Sequence, residues 1–436
     1  MSITLIALIL LVLMSSLLLI GIWIPASVAI TAWFGLTFFS DKDTLMNLAN
    51  VWWNSSSSYT LASLPLFVWM GEILFRTKLS EQMFTGLSPW LNWLPGRLMH
   101  VNILGCGIFG SVSGSSAATC ATIAKSALPE LTKRGYDEKI TLGSLSCAGT
   151  LGILIPPSIT MVVYAVAADQ SIIRIFLAGF IPGAILMALF SGYIIVWALL
   201  NPAKTPPAEK YSWRQRLHSV GQLMPCTALI IFIAWLMLAG YSTATEAAAY
   251  GVVGSLILAA VGGNLSWNNF WQSLLSATRL TAMIMFVLGA TSFLSIVMSY
   301  TGIPRGLAEW VQSMHLSPWA LIFVLTIIYI LLGTALDGIS MIALTTVTVL
   351  PMVQQAGFDL VWFGIFIVLL VEIAEVTPPV GFNLFVLQSM TGKDSNYIAK
   401  VSLPFFGMMV LAVILITIWP ELVTWLPDQF LQKEIK

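Results

Sequence analysis

Apolar stretches of the length a helix needs to cross a bilayer, about 20 residues, recur from end to end of this chain. Placed by hydropathy, they predict membrane helices near 3–20, 23–40, 58–75, 139–167, 175–200, 222–240, 244–261, 281–299, 361–390 and 402–425. The charge content agrees: 58% of the 436 residues are hydrophobic and 9% charged, too few charges to cover a soluble protein of this size. With 19 basic and 19 acidic residues the formal net charge is zero, and nothing points to nucleic acid as a partner. Residues 3–20 are preceded by no Lys or Arg, so they lack the charged start of a signal peptide and read as a retained first helix. Cys106, Cys120, Cys147 and Cys226 lie in or beside apolar segments without metal-ligand spacing and are expected to be packed thiols.

Two further apolar segments, 98–130 and 318–352, are interrupted at their middles by small and polar residues. One interruption is Gly110-Ser-Val-Ser-Gly-Ser-Ser116, the other Gly333-Thr-Ala-Leu-Asp-Gly-Ile-Ser340. Each half is too short to span comfortably at 1.5 Å per residue, so each segment is expected to be a re-entrant hairpin with its tip buried in protein or lining a cavity. With the N-terminus outside, Arg76, Lys78, Arg97, Lys133, Arg134, Lys139, Lys204, Lys210, Arg214, Arg216, Arg279, Lys393 and Lys400 fall on the cytoplasmic side. Lys42, Arg174, Arg305, Lys433 and Lys436 fall on the other, the asymmetry of the positive-inside rule. Lys125 is left inside the first hairpin.

A single offset organises the chain. Pro129, Gly135, Asp137, Pro156, Pro157 and Pro182 recur 222 residues later as Pro351, Gly357, Asp359, Pro378, Pro379 and Pro404. These residues fix backbone geometry, and they stay in register where others have diverged. Leu87-Ser-Pro-Trp90 is echoed by Leu316-Ser-Pro-Trp319. The reading is an all-α polytopic membrane protein of two inverted-topology repeats, 1–200 and 222–425. Each has five spanning helices, one of them broken, and one re-entrant hairpin. A charged linker, 201–221, joins them, and 426–436 forms a tail. Inverted repeats of this kind are a signature of secondary transporters.

The breaks lie at matching places, Gly149-Thr-Leu-Gly152 with Pro156-Pro157-Ser158, and Glu375-Val-Thr-Pro-Pro-Val-Gly-Phe-Asn383. A Pro-Pro pair inside an apolar helix removes donors and leaves carbonyls free. Such carbonyls beside Ser, Thr and Asn oxygens suit a small hard cation such as Na⁺, and half-helix N-termini suit a carboxylate. Tip one is expected to meet break one, and tip two break two, giving two similar cation sites around a central substrate space. Asp337, Glu372 and Glu375 are acids at membrane depth, where carboxylates are costly and usually functional. Glu72 and Glu246 lie outside these elements. Glu246 follows Thr243 as a capping box would require.

Gly110-Ser-Val-Ser-Gly-Ser-Ser116 and the two break strings, above all Gly149-Thr-Leu-Gly-Ile-Leu-Ile-Pro-Pro-Ser158, resemble the large membrane subunit of tripartite ATP-independent periplasmic (TRAP) transporters, over essentially the whole chain. The resemblance implies an elevator-type transport domain with scaffold in the bacterial inner membrane. It also implies a small four-helix membrane subunit, a soluble periplasmic substrate-binding protein and Na⁺-driven import of a small carboxylate. The chain opens directly on its first scaffold helix, so the small subunit is expected to be a separate polypeptide. By motif match, one Na⁺ site would use Ser111, Ser113, Gly114, Ser115, Gly149, Thr150 and Pro156. The other would use Gly333, Thr334, Asp337, Glu375, Thr377 and Pro378. Ser116, Ser158 and Asn383 are the expected substrate contacts.

Two other classes compete. Ser113 within Gly110-Ser-Val-Ser-Gly114 suggests an intramembrane serine protease, which needs a base. Of the histidines, His218 falls in the linker, His315 in an outer loop and His100 about a dozen residues from the tip. A protease also gives no reason for a second half. A channel shares polar re-entrant loops, but paired breaks favour alternating access. No GxxxxGK[ST] loop is present for an ATP-driven pump.

Overall fold

The computed structural model describes residues 2–431 except 78, 210, 315, 316, 335 and 380. Lys78, Lys210, Lys433, Lys436, His315, Leu316, Ala335, Val380 and the end of the expected tail therefore lie outside the described residues. Every regular element among the described residues is helical. In chain order these are α1 (Ile3–Leu19), α2 (Ile24–Phe39), α3 (Thr44–Ser56), α4 (Ser63–Phe75), α5 (Leu79–Leu91), α6 (Met99–Ser113) and α7 (Ser116–Lys133). There follow α8 (Glu138–Ala148), α9 (Leu151–Leu154), α10 (Ile159–Ala167), α11 (Ile172–Leu200), α12 (Trp213–Leu238), α13 (Ala244–Val261) and α14 (Trp267–Thr301). The last seven are α15 (Ile303–Ser313), α16 (Pro318–Gly333), α17 (Gly338–Gln355), α18 (Leu360–Ala374), α19 (Phe382–Thr391), α20 (Ser395–Ile418) and α21 (Glu421–Leu431).

Both interrupted segments are hairpins of two helices, α6–α7 and α16–α17, and both Pro-Pro strings separate helices, α9 from α10 and α18 from α19. The offset of 222 is visible in the caps. Ser115 caps α7 by accepting from the Ala118 N–H, and Asp337 caps α17 by accepting from the Ser340 N–H at 3.1 Å. Asp137 accepts from the Lys139 N–H at 2.9 Å, and Asp359 from the Val361 N–H at 2.7 Å, to start α8 and α18. Gly135 and Gly357 precede them at φ 77° and 84°, left-handed conformations that end α7 and α17 without a Cβ clash.

Packing is exchanged between the halves. α12 lies on α5 as α1 lies on α15, and α13 lies on α4 as α2 lies on α14. In the interior, α10 packs on α17 while α19 packs on α7, so each broken helix sends its second part to the other repeat's hairpin. α18 is buried on every side, from Val361 to Ala374, which explains its unbroken apolar sequence and isolates its single acid, Glu372.

Six helices are individually long and apolar enough to cross a membrane, or up to eight if each of two bent pairs is one span. By length α17 counts among the six, although its start at a capped tip makes it a hairpin leg. Several boundaries differ from those expected. The expected span 281–299 is the C-terminal half of the 35-residue α14, whose Asn268 and Asn269 lower the hydropathy of its start. The span placed at 402–425 runs instead from Ser395 to Ile418. The segment 201–221 is helical from Trp213, started by a capping box of Ser212 and Gln215. α3, α5, α15 and α21 mix polar and apolar residues and so escape a hydropathy reading. The Thr243–Glu246 capping box is present, Glu72 pairs with Arg76, and the four cysteines are free and buried.

Candidate functional site: two hairpin tips at two helix breaks

Tip one meets break one through glycines. A Cβ on Gly110 would fall 2.5 Å from the Gly152 Cα, a backbone contact that no side chain could relieve. Gly114 ends α6 at φ 59°, turning the chain so that Ser115 can cap α7. Within the tip, the Ser113 and Thr119 hydroxyls lie 2.6 Å apart, and the Thr119 hydroxyl donates to the Ser115 carbonyl at 2.7 Å. His100 is instead bound at the start of α6, its Nε2 2.7 Å from the Pro95 carbonyl.

Tip two meets break two in the same manner. A Cβ on Gly333 would fall 2.2 Å from the Ala374 Cβ, and one on Gly338 2.3 Å from Val371 Cγ1. Thr334 and Thr377 donate to the carbonyls of Leu331 (2.7 Å) and Ile373 (2.6 Å). Ser111, Thr150 and Ser158 donate likewise to Ile108, Cys147 and Ile153. A hydroxyl whose proton is already committed to the backbone presents only lone pairs to its surroundings. Pro156 is buried, whereas Pro378 is exposed.

The two tip-and-break junctions are linked. Asn383, from break two, accepts from the Ser116 hydroxyl of tip one at 3.1 Å and donates to the Ser146 carbonyl of α8 at 2.9 Å. Gly149 closes on the same amide: a Cβ there would lie 3.1 Å from Asn383 Nδ2 and 2.6 Å from Cys120 Cβ. Glu375 sits between the tips, beside Ser116 of the first and Asp337 of the second. Its Oε2 is enclosed without a hydrogen-bond partner among the described residues, and so are both oxygens of the fully buried Glu372. Thus Ser116, Glu375 and Asn383 join what the spacing pairs as tip one with break one and tip two with break two. Ser146, Thr119 and Cys120 belong to this centre as well. Only Thr119 carried a sequence signal, lying one helical turn inside the tip.

Paired hairpins whose tips seat against paired broken helices, around a buried polar centre in an all-helical apolar body, define a multi-pass membrane permease. Residues 10–422 match the family described as tripartite ATP-independent periplasmic transporter, DctM component. The chain belongs to that family and is a multi-pass protein of the bacterial inner membrane. It is 30% identical over 387 residues to the C4-dicarboxylate TRAP transporter large permease protein DctM of Pseudomonas aeruginosa, covering 88% of this chain and 90% of that one. The protein of the same description from Vibrio cholerae is 28% identical and is matched over 97% of this chain and 98% of its own. Among solved structures, the Alcanivorax borkumensis YdaH transporter shares the fold with a TM-score of 0.66, at 13% identity, over 87% of this chain and 89% of that one.

Proposed function

We propose that the chain carries a small organic carboxylate into the cell by secondary active transport, coupled to Na⁺ and fed by a separate periplasmic binding protein. The observation that carries this reading is the junction at Glu375, Ser116 and Asn383, where both tips and both broken helices share one polar centre. Its donor set is all oxygen: carboxylates, hydroxyls and backbone carbonyls. Hard oxygen ligands of this kind suit Na⁺. Two sites would hold it, one at Ser111, Ser113, Gly114, Ser115, Gly149, Thr150 and Pro156, the other at Gly333, Thr334, Asp337, Glu375, Thr377 and Pro378. Ser116, Ser158 and Asn383 would face the substrate.

Movement of the hairpins and broken helices against a scaffold of α1, α2, α12 and α13, with a small membrane subunit beside it, would expose the centre to each side in turn. Each net positive charge that enters down ~100 mV supplies about 2.3 kcal/mol, so two would sustain accumulation without ATP. The relatives' names, which include C4-dicarboxylate and ectoine/5-hydroxyectoine transporters, favour small organic acids as the substrate class.

The test is the thermal stability of the complex with its small subunit in Na⁺ against K⁺ or choline at equal ionic strength. A ligand of the folded state raises the midpoint as its concentration passes Kd. A rise specific to Na⁺, and lost in Ser113→Ala or Thr377→Val, is the expected result. Equal midpoints in the three cations would remove Na⁺ from the mechanism.

A further inference from the structure

Lys125 lies well inside the first hairpin, where positive-inside counting gives it no role. It sits on α7 nine residues beyond Ser116, about 14 Å along the helix axis. Here it faces a cavity of about 950 Å³, within the size range of small-molecule sites. The cavity lies between hairpin one and the α4–α5 pair. Thr122, Lys125, Ser126 and Pro129, one face of α7, form one wall, and Phe75 and Ser88 of α4 and α5 contribute to the other. Met390, at the end of α19, closes it from break two.

Two features of this wall point to an anion. Arg134, the other cation in the lining, is held by Glu130 and Glu209. Lys125 has no ion pair among the described residues and is exposed to the cavity. One helical turn toward the tip, the Thr122 hydroxyl is buried at 8% exposure, lines the same space and has no hydrogen-bond partner among the described residues. An ammonium and an unsatisfied hydroxyl three residues apart match the needs of a carboxylate, which accepts from both.

We propose that this cavity is the inward-facing vestibule of the carried acid, in which Lys125 and Thr122 bind its carboxylate between the tip and the cytoplasm. The proposal rests on the reading of the chain as an organic-acid carrier. It adds a second anion station on the exit side of the Ser116–Asn383 centre, one that makes release stepwise and selects for negative charge.

The experiment uses the purified complex with its small subunit in Na⁺ buffer, and measures the thermal midpoint against succinate, pyruvate, N-acetylneuraminate and the neutral isostere succinamide. At least one acid should raise the midpoint while succinamide does not. Lys125→Gln should weaken that acid by about tenfold or more, the loss of a charge-assisted hydrogen bond. Lys125→Arg should restore most of it, Thr122→Val should cost a smaller factor, and the Na⁺-specific rise should persist in all three variants. An acid effect unchanged in Lys125→Gln overturns the proposal and leaves organic-acid carriage standing, with Lys125 a snorkelling side chain. A Na⁺ rise with no acid effect in the unsubstituted complex also overturns it while sparing ion coupling. Absence of both would overturn the parent reading as well.

Discussion

Glu372 poses the sharpest energetic question at the level of single residues. It is fully buried in a helix that is otherwise apolar on every side, and neither carboxyl oxygen has a partner among the described residues. A buried polar group without a hydrogen bond carries an uncompensated desolvation cost of about 1–3 kcal/mol, which an apolar residue of similar volume does not. Glu372→Met is therefore expected to raise the thermal midpoint of the complex and abolish uptake into proteoliposomes. A variant that is more stable and still transports would make the carboxyl a structural accident. Asn383 should behave in the opposite way. Its amide is used on both sides, toward Ser116 and toward the Ser146 carbonyl, so Asn383→Ala leaves buried groups unsatisfied. The cost should be about 1–3 kcal/mol, read as a fall in the unfolding midpoint. The acids and the Ser-rich tip could be read from the sequence because charge and polarity stand out at membrane depth. Ser146 and Cys120 could not, since each looks like ordinary small helix filling until Asn383 and Gly149 are seen against them.

The hairpins, breaks and caps were legible as elements because Pro, Gly and Asp act locally. A Pro-Pro pair interrupts a helix wherever it occurs, and Asp137 and Asp359 start helices without help from tertiary structure. What stayed hidden was amphipathic or exchanged. α5 and α15 carry too many polar residues for a hydropathy window, and the packing of α19 on α7 links segments hundreds of residues apart. The seating of hairpin one on break one depends on Gly110 and Gly152, whose backbones approach too closely for a methyl group between them. Gly110→Ala should hold the tip away from α9, at an overpacking cost of about 1–3 kcal/mol. The Na⁺-specific midpoint rise should be lost with it. Gly192→Ala, on α11 with open space around its Cβ position, is the matched control and should leave that rise intact. If both variants keep it, close seating of this tip is irrelevant to the ion.

For the molecule as a whole, any movement of hairpin one against α5 would act on the segment that joins the two halves. Glu209 ties that segment to both sides. Its carboxylate pairs with Arg134 at the end of α7, while its carbonyl accepts from the Asn92 side chain just beyond α5. The Arg134 guanidinium holds the Glu209 carboxyl below the usual carboxylate range. A group lowered in this way contributes its stabilisation fully above about pH 4.3 and loses it as pH falls through the lowered value. Both side chains are partly exposed, so water and salt screen the pair and its worth is below ~1 kcal/mol. That is negligible against unfolding but not against a conformational equilibrium, where the same energy shifts two populations by up to about fivefold. The arrangement seen here contains the pair, so Glu209→Gln should disfavour it. Reaction of Lys125→Cys with a membrane-impermeant thiol reagent from the cytoplasmic side should then slow by up to that factor. High salt should produce the same slowing in the Glu209 parent and little further change in Glu209→Gln. Equal labelling rates at both salt concentrations and in both backgrounds would mean that the strap follows the hairpin passively and does not bias its position.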